Sequence, residues 1–149
     1  MTPQTEHPHV RDIMTLDPVT TTEDARVSEA YGLMTTKRIQ HIPVLREGQV
    51  VGVLSERHVR DAMPSILTLK DPEARKKTLA VTRVSDVMIK NPAVIAPTAT
   101  VLDAITHMRK LRSGSLPVVE GGKLVGIVTS GDLVNLLERM LLGRPVAAR

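Results

Sequence analysis

The sequence predicts an α+β protein made of two copies of one unit. Three observations carry that prediction. Val10 to Met63 and Val84 to Leu137 align without a gap at a constant offset of 74 residues. In each copy a stretch of helical apolar spacing precedes two short β-branched runs, which are separated by a Gly-containing turn. A second helical stretch then closes the copy. A duplication of this length is a folding unit. Two such units are expected to pack about a pseudo-two-fold axis, each a small sheet on helices.

The elements follow in order. Extended leads open the copies, Val10-Arg11-Asp12-Ile13-Met14 with Pro18 beyond, and Val84-Ser85-Asp86-Val87-Met88 with Pro92 beyond. Val27, Ala30, Tyr31 and Met34 then share one helix face, as do Val101, Ala104, Ile105 and Met108. Asp24 and Thr98 precede these helices at matching positions and are expected to cap them. The runs Ile42–Leu45 and Val50–Leu54 flank Glu47-Gly48, and Leu116–Val119 and Leu124–Val128 flank Gly121-Gly122, so each pair reads as a hairpin. The closing helices are expected at about Glu56–Met63 and Asp132–Leu142, the second with Gly143 as its C′ residue and Pro145 after it. In the connector, Asp71-Pro72-Glu73 is an N-cap followed by Pro at the first helical position. The expected organisation is a flexible tail at 1–9, repeats at 10–63 and 84–142, a helix-bearing connector at 64–83, and a basic tail at 143–149.

Composition narrows the function classes. The 149 residues suffice for one domain, or for two small subdomains sharing a core, and 42% are hydrophobic, which excludes a mainly disordered chain. Tyr31 is the one aromatic residue, so base stacking, the usual device of single-strand nucleic-acid binders, is almost absent. The net charge of +4 and the basic run Arg75-Lys76-Lys77 read as a solvated face on the connector, and nucleic acid is not the expected partner. There is no Cys, which suits a reducing cytoplasm and removes thiolate catalysis and zinc-thiolate sites. No apolar run is long enough to span a bilayer, and the first nine residues lack the apolar stretch of a secretory signal. A cytoplasmic protein is expected. No Gly-x-Ser-x-Gly elbow, Walker loop or cluster of metal ligands is present, and His7 and His9 on the tail make a poor metal pair. No catalytic residue and no metal site are assigned.

With those motifs in place, the chain resembles a pair of cystathionine-β-synthase (CBS) domains, a Bateman module. The resemblance rests on Gly126-Ile127-Val128-Thr129-Ser130-Gly131-Asp132-Leu133, on Leu116-Pro117-Val118-Val119 with the turn after it, and on the Val-x-Asp-hydrophobic-Met lead followed by Pro in both copies. Arg60-Asp61-Ala62-Met63-Pro64-Ser65 and the connector length further resemble the acetoin-utilisation group, without the ACT domain that some of its members carry.

The resemblance implies an adenosine-type ligand in each of two clefts between the repeats. In the intact cleft Asp132 would accept hydrogen bonds from the ribose diol, with Thr129, Gly131 and Ile127 beside it. Val19 and Thr20 would border the adenine, and Ile39, Gln40 and His41 the adenine and phosphate side. The residue types suit the task. A carboxylate offers two acceptors to a vicinal diol, and a helix start offers free N–H groups to phosphate. A phosphate beside His41 would favour its protonated form.

The first copy keeps Ser55 but places His58 where the Asp is expected, beside Arg57. Imidazole cannot hold a diol as a carboxylate does, so this cleft, completed by Val94, Gly114 and Ser115, is expected to be degenerate. The expected function is regulatory: an adenine nucleotide or related molecule, with or without Mg²⁺, is sensed and an unidentified regulated protein responds. No cofactor is required. The alternative is a ligand-free interaction scaffold, in which Asp132 and Thr129 serve only as helix caps. A homodimer is expected too. Leu133, Leu136, Leu137, Met140, Leu141 and Leu142 exceed what one helix face needs.

Overall fold

Turn chemistry fixes the two hairpins. Glu47 and Gly48 have φ of 49° and 78°, and Gly121 and Gly122 have 58° and 76°, the left-handed pairs that a two-residue hairpin loop demands. The strands they join are β3 (His41–Arg46) with β4 (Gln49–Ser55), and β6 (Ser115–Glu120) with β7 (Lys123–Thr129). The computed structural model describes residues 7–65 and 67–146. Parts of both expected tails, residues 1–6 and 147–149, lie outside the described residues. Closer in, the Pro8 carbonyl accepts from Val101 N–H at 2.8 Å and His9 bridges to Thr100.

The remaining elements are α1 (Val10–Ile13), β1 (Thr15–Leu16), β2 (Thr21–Thr22), α2 (Val27–Lys37), α3 (Glu56–Ala62), α4 (Pro72–Val81), a 3-10 turn at Val84–Asp86, β5 (Ile89–Lys90), α5 (Val101–Leu111) and α6 (Ser130–Leu141). The fold is α+β, with a connector helix that starts on Asp71, whose carboxylate accepts from Glu73 N–H. After α6, Gly143 takes φ of 63°, the conformation its C′ position asks for.

The caps of α2 and α5 correct the sequence expectation. Their N-caps are Arg26 and Thr100, two residues beyond Asp24 and Thr98. Thr100 Oγ accepts from Asp103 N–H at 3.1 Å while Asp103 accepts from Thr100 N–H at 3.0 Å, a closed capping box. Asp24 is instead exposed and lies 3.8 Å from the Arg83 guanidinium. Both helices end on an arginine in the left-handed region, Arg38 and Arg112, and the next N–H reaches back to Met34 or Met108.

Two compact units form, and they cut the chain differently from the sequence repeat. One is Pro18–Pro92, and the other joins Met1–Asp17 to Ala93–Arg149. The lead of each copy therefore packs with the hairpin of the other. In the first unit, β2, β3, β4 and β5 form one sheet, with β5 antiparallel to β4 through Gly52↔Lys90 and Val53↔Ile89. Its core holds Val27, Ala30, Met34, Ile42, Val44, Leu54, Val59 and Val84, plus Leu79 from α4. In the second unit, β1, β7 and β6 form the sheet, with Thr15↔Ile127 and Leu16↔Gly126. Val10, Met14, Ile95, Ala104, Met108, Leu116, Val118 and Val128 fill that core.

Candidate functional site

Asp132 and His58 occupy matching positions, three residues into the helices that follow β7 and β4. There each side chain reaches back to its N-cap. Asp132 Oδ2 accepts from Thr129 N–H at 2.8 Å and from Thr129 Oγ1 at 3.2 Å. His58 Nδ1 accepts from Ser55 N–H at 3.3 Å and lies 2.7 Å from Ser55 Oγ. Ser55 Oγ in turn accepts from His58 N–H at 3.1 Å. The Ser55 N–H contact requires an unprotonated Nδ1, so the neutral ring carries its proton on Nε2. Imidazole thus substitutes for carboxylate in the cap, and the first copy keeps its helix start without its Asp.

The two residues differ in what is left over. Both protein hydrogen bonds to Asp132 run to Oδ2, which leaves Oδ1 for an incoming donor. Burial pushes the Asp132 carboxyl above its ordinary value, and the two bonds from Thr129 only partly offset it. A half-buried carboxylate held in this way gains from any further donor. Burial pushes His58 below its ordinary value. Arg57 adds to that and Asp61 opposes it.

A cavity of about 180 Å³ opens beside Asp132, lined also by Asp12, Met14, Asn135 and Arg139. It is smaller than the ~300–1,000 Å³ of ordinary ligand sites and does not by itself hold a nucleoside. Asp12 was not among the sequence candidates. It comes from the lead, where Asp12 and Asp86 repeat at the same position of both copies, and that repetition was the available signal.

The other candidates divide between the units. Thr129, Gly131, Ile127, Val94, Gly114 and Ser115 accompany Asp132 in the unit containing residues 93–149. Val19, Thr20, Ile39, Gln40, His41, Ser55, Arg57 and His58 lie in the unit spanning 18–92. Ile127 and Ser115 are buried, Gly131 is exposed, and Val94 is 47% exposed. The Gly114 carbonyl accepts from Ser130 N–H at 2.9 Å, which ties the loop before β6 to the start of α6. Ile39 and Val19 pack against the core of their unit, and Gln40 is exposed. Arg57 is exposed, 3.8 Å from Asp61.

Strand register pairs residues that the sequence reading gave to different clefts. His41 faces Ser55 on β3 and β4, and Ser115 faces Thr129 on β6 and β7. Burial pushes His41 below its ordinary value, and His58 adds to the effect. The surroundings of His41 therefore disfavour the protonated form that a phosphate would favour.

Each of the two small sheets thus leads into a helix whose third residue, His58 or Asp132, is part-buried and reaches back to the N-cap, one arrangement built twice. The CBS domain family model matches residues 10–65 and 84–139, and the chain belongs to that family. A CBS domain-containing protein of Dictyostelium discoideum is 31% identical over 134 residues, covering 89% of this chain and 92% of that one. An inosine-5'-monophosphate dehydrogenase of Thermoplasma acidophilum is 31% identical over 85% of this chain, which spans only 22% of the enzyme's length. Among solved structures, a protein of Vibrio cholerae named for acetoin utilization (AcuB) superposes with a TM-score of 0.70 at 28% identity, over 93% of this chain and 99% of that one. The structure of CBSX2 in complex with AMP gives 0.71 at 26%, over 90% and 98%. Among the described residues, no helix is long and apolar enough to cross a membrane.

Proposed function

We propose that this protein is a regulatory module that senses an adenosine-containing ligand through Asp132 and passes the result to a partner protein. One observation carries the reading: Asp132 spends one carboxylate oxygen on the cap of α6 and keeps the other for a donor, in a half-buried setting that penalises the unliganded charge. A ribose diol supplies the missing donors. The complex of CBSX2 with AMP supports the ligand class. Ligand binding would act by population shift, favouring whichever arrangement of the module binds it better.

His58 leaves the first copy without a carboxylate, so we expect one adenosine ligand per chain. His58→Asp should raise calorimetric stoichiometry towards two. Unchanged stoichiometry would mean that the first copy lacks more than its acidic residue. We place the module in the cytoplasm and assign it no reaction of its own.

The test is a thermal-shift panel at ~1 mM AMP, ADP, ATP with and without Mg²⁺, S-adenosylmethionine and NADH, with GMP as control. Wild type and Asp132→Asn are compared. The amide keeps an acceptor for Thr129 N–H but loses the charge. A ligand at ~100 times its dissociation constant adds about 2.7 kcal/mol, which is a rise of several degrees. Wild type should respond to an adenine ligand and the variant should not. Because the ionised carboxylate is the acceptor, affinity should also fall as pH drops through the raised Asp132 pKa. An equal response from both proteins would remove Asp132 from the site.

A second copy of the chain is the proposed partner of α6. Leu136 is buried and Leu133 packs on the core, but Leu137, Met140, Leu141 and Leu142 are all more than half exposed, and Val134 is 66% exposed. Leu137→Glu with Leu141→Glu should yield monomers in sedimentation at concentrations where wild type is dimeric.

A further inference from the structure

The connector helix α4 packs on α2, and the space between them is not filled. A cavity of about 570 Å³ lies there, lined by Tyr31 and Gly32 of α2, Met63 after α3, and Arg75, Lys76 and Leu79 of α4. Its volume falls within the ~300–1,000 Å³ typical of small-molecule sites. Every residue that lines it belongs to the unit spanning 18–92, and neither Asp132 nor His58 is among them.

Its charge is unusual for so apolar a pocket. Sequence alone placed Arg75 with Lys76 and Lys77 on a solvated face, yet Arg75 is part-buried. Its Nε is the single buried side-chain nitrogen or oxygen without a hydrogen-bond partner among the described residues. Nη2 meets only the Met63 sulfur, a weak acceptor, at 3.8 Å. No carboxylate among the described residues pairs with it, since Glu73 reaches Lys76 instead. A guanidinium in this state carries a desolvation penalty that an arriving oxyanion would remove. Met63 is a flexible side chain and can yield the Nε–Nη2 edge to a bidentate carboxylate.

We propose that this cavity is a second ligand site, for a small organic carboxylate with an apolar body. The carboxylate pairs with Arg75, and the body lies against Tyr31, Leu79 and the open flank of Gly32. Because the occupant would wedge between α2 and α4, it would stiffen the connector.

The chain carries its own reporter, since Tyr31 is the only aromatic residue. Octanoate and its neutral isostere octanamide are titrated into the full chain while the Tyr31 ring resonances are followed by NMR and heats by calorimetry. Octanoate should shift the ring saturably and bind about tenfold tighter than octanamide, the worth of one hydrogen bond to a charged group. Arg75→Gln should bring that ratio to about one. Gly32→Leu should abolish both titrations. A Cβ built on Gly32 meets nothing within 4 Å, so the added side chain enters open space and the helix gains a better former. Circular dichroism checks that both variants fold. Equal binding of amide and carboxylate by wild type, or octanoate binding retained in Gly32→Leu, would overturn the proposal. So would a Tyr31 shift that follows protein concentration alone, which would assign the cavity to a second copy of the chain.

Discussion

A Cβ built on Gly126 would lie 2.8 Å from the Thr15 carbonyl oxygen and 2.9 Å from Met14 Sδ. At Gly52 the corresponding Cβ would meet Met88 Sδ and, at 3.0 Å, the Ile89 carbonyl. Each motif glycine thus answers to the lead strand that crosses it. Gly126→Ala should cost about 1–3 kcal/mol in urea unfolding, because a paired backbone oxygen cannot yield cheaply. Gly131→Ala, whose Cβ would make only an ordinary contact with Thr129 Oγ1 at 3.5 Å, should be neutral or stabilising. His58 makes a different prediction. Its pKa is lowered in the fold, chiefly by burial, so its contribution to stability is complete above its unfolded value of about 6.5 and is lost as pH falls through the folded value. Protonation also removes the acceptor for Ser55 N–H. Denaturation between pH 7.5 and 5 should show this decline, and His58→Asp should flatten it. His41, shifted the same way, should leave a residual slope.

At the scale of elements, two helices of matching sequence position differ in how they begin. Thr100 closes a full box on α5, whereas Arg26 gives α2 no side-chain cap and sends its guanidinium to the Val81 carbonyl at 3.3 Å. Thr100→Ala should therefore cost about 0.5–2 kcal/mol. Arg26→Thr, which writes the second copy's residue into the first, should recover part of that amount for α2. Both are read from chemical denaturation midpoints at constant slope. Should Arg26→Thr destabilise, the bond to Val81 matters more than the missing cap. Most elements were legible in sequence, but the leads were not: Val10–Ile13 is a short helix and Val84–Asp86 a 3-10 turn where extended chain was expected. The hairpins and the closing helices lie within a residue or two of their expected bounds, and the connector helix starts at its expected cap, Asp71. Each depends on turn residues and periodicity within a dozen positions. The caps were misplaced because Asp24 and Thr98 are good capping types that merely sit one half-turn too early.

For the whole molecule, the exchange of leads has the largest consequence. Val10 is fully buried and Met14 is 7% exposed in the unit built on residues 93–149, and β1 pairs with β7. Deleting residues 1–17 removes both side chains from that core, a loss of about 3–6 kcal/mol by burial alone. Hydrogen exchange should then show β6 and β7 opening while the unit spanning 18–92 stays protected. Uniform loss of protection would instead show that the two units unfold together. Of the candidate site, Asp132 and Thr129 were legible because they form a local motif at a strand-to-helix junction, and the same locality explains why their capping role is real. Asp12 was not recognised, since it reaches the neighbourhood of Asp132 only through the exchanged lead.

The sequence by itself determined the repeat, the hairpins with the helices on either side of them, and the contrast between Asp132 and His58. All of these follow from neighbours in the chain. Only the tertiary structure decided which hairpin each lead serves. Val10 and Val84, or Met14 and Met88, are the same residues at matching positions, so either lead suits either core and no local pattern distinguishes its own copy from the other. The same holds for Arg75. Its run of three basic residues reads as solvated until α4 is laid on α2, when packing turns one of the three inward beside Tyr31 and leaves a buried donor without an acceptor.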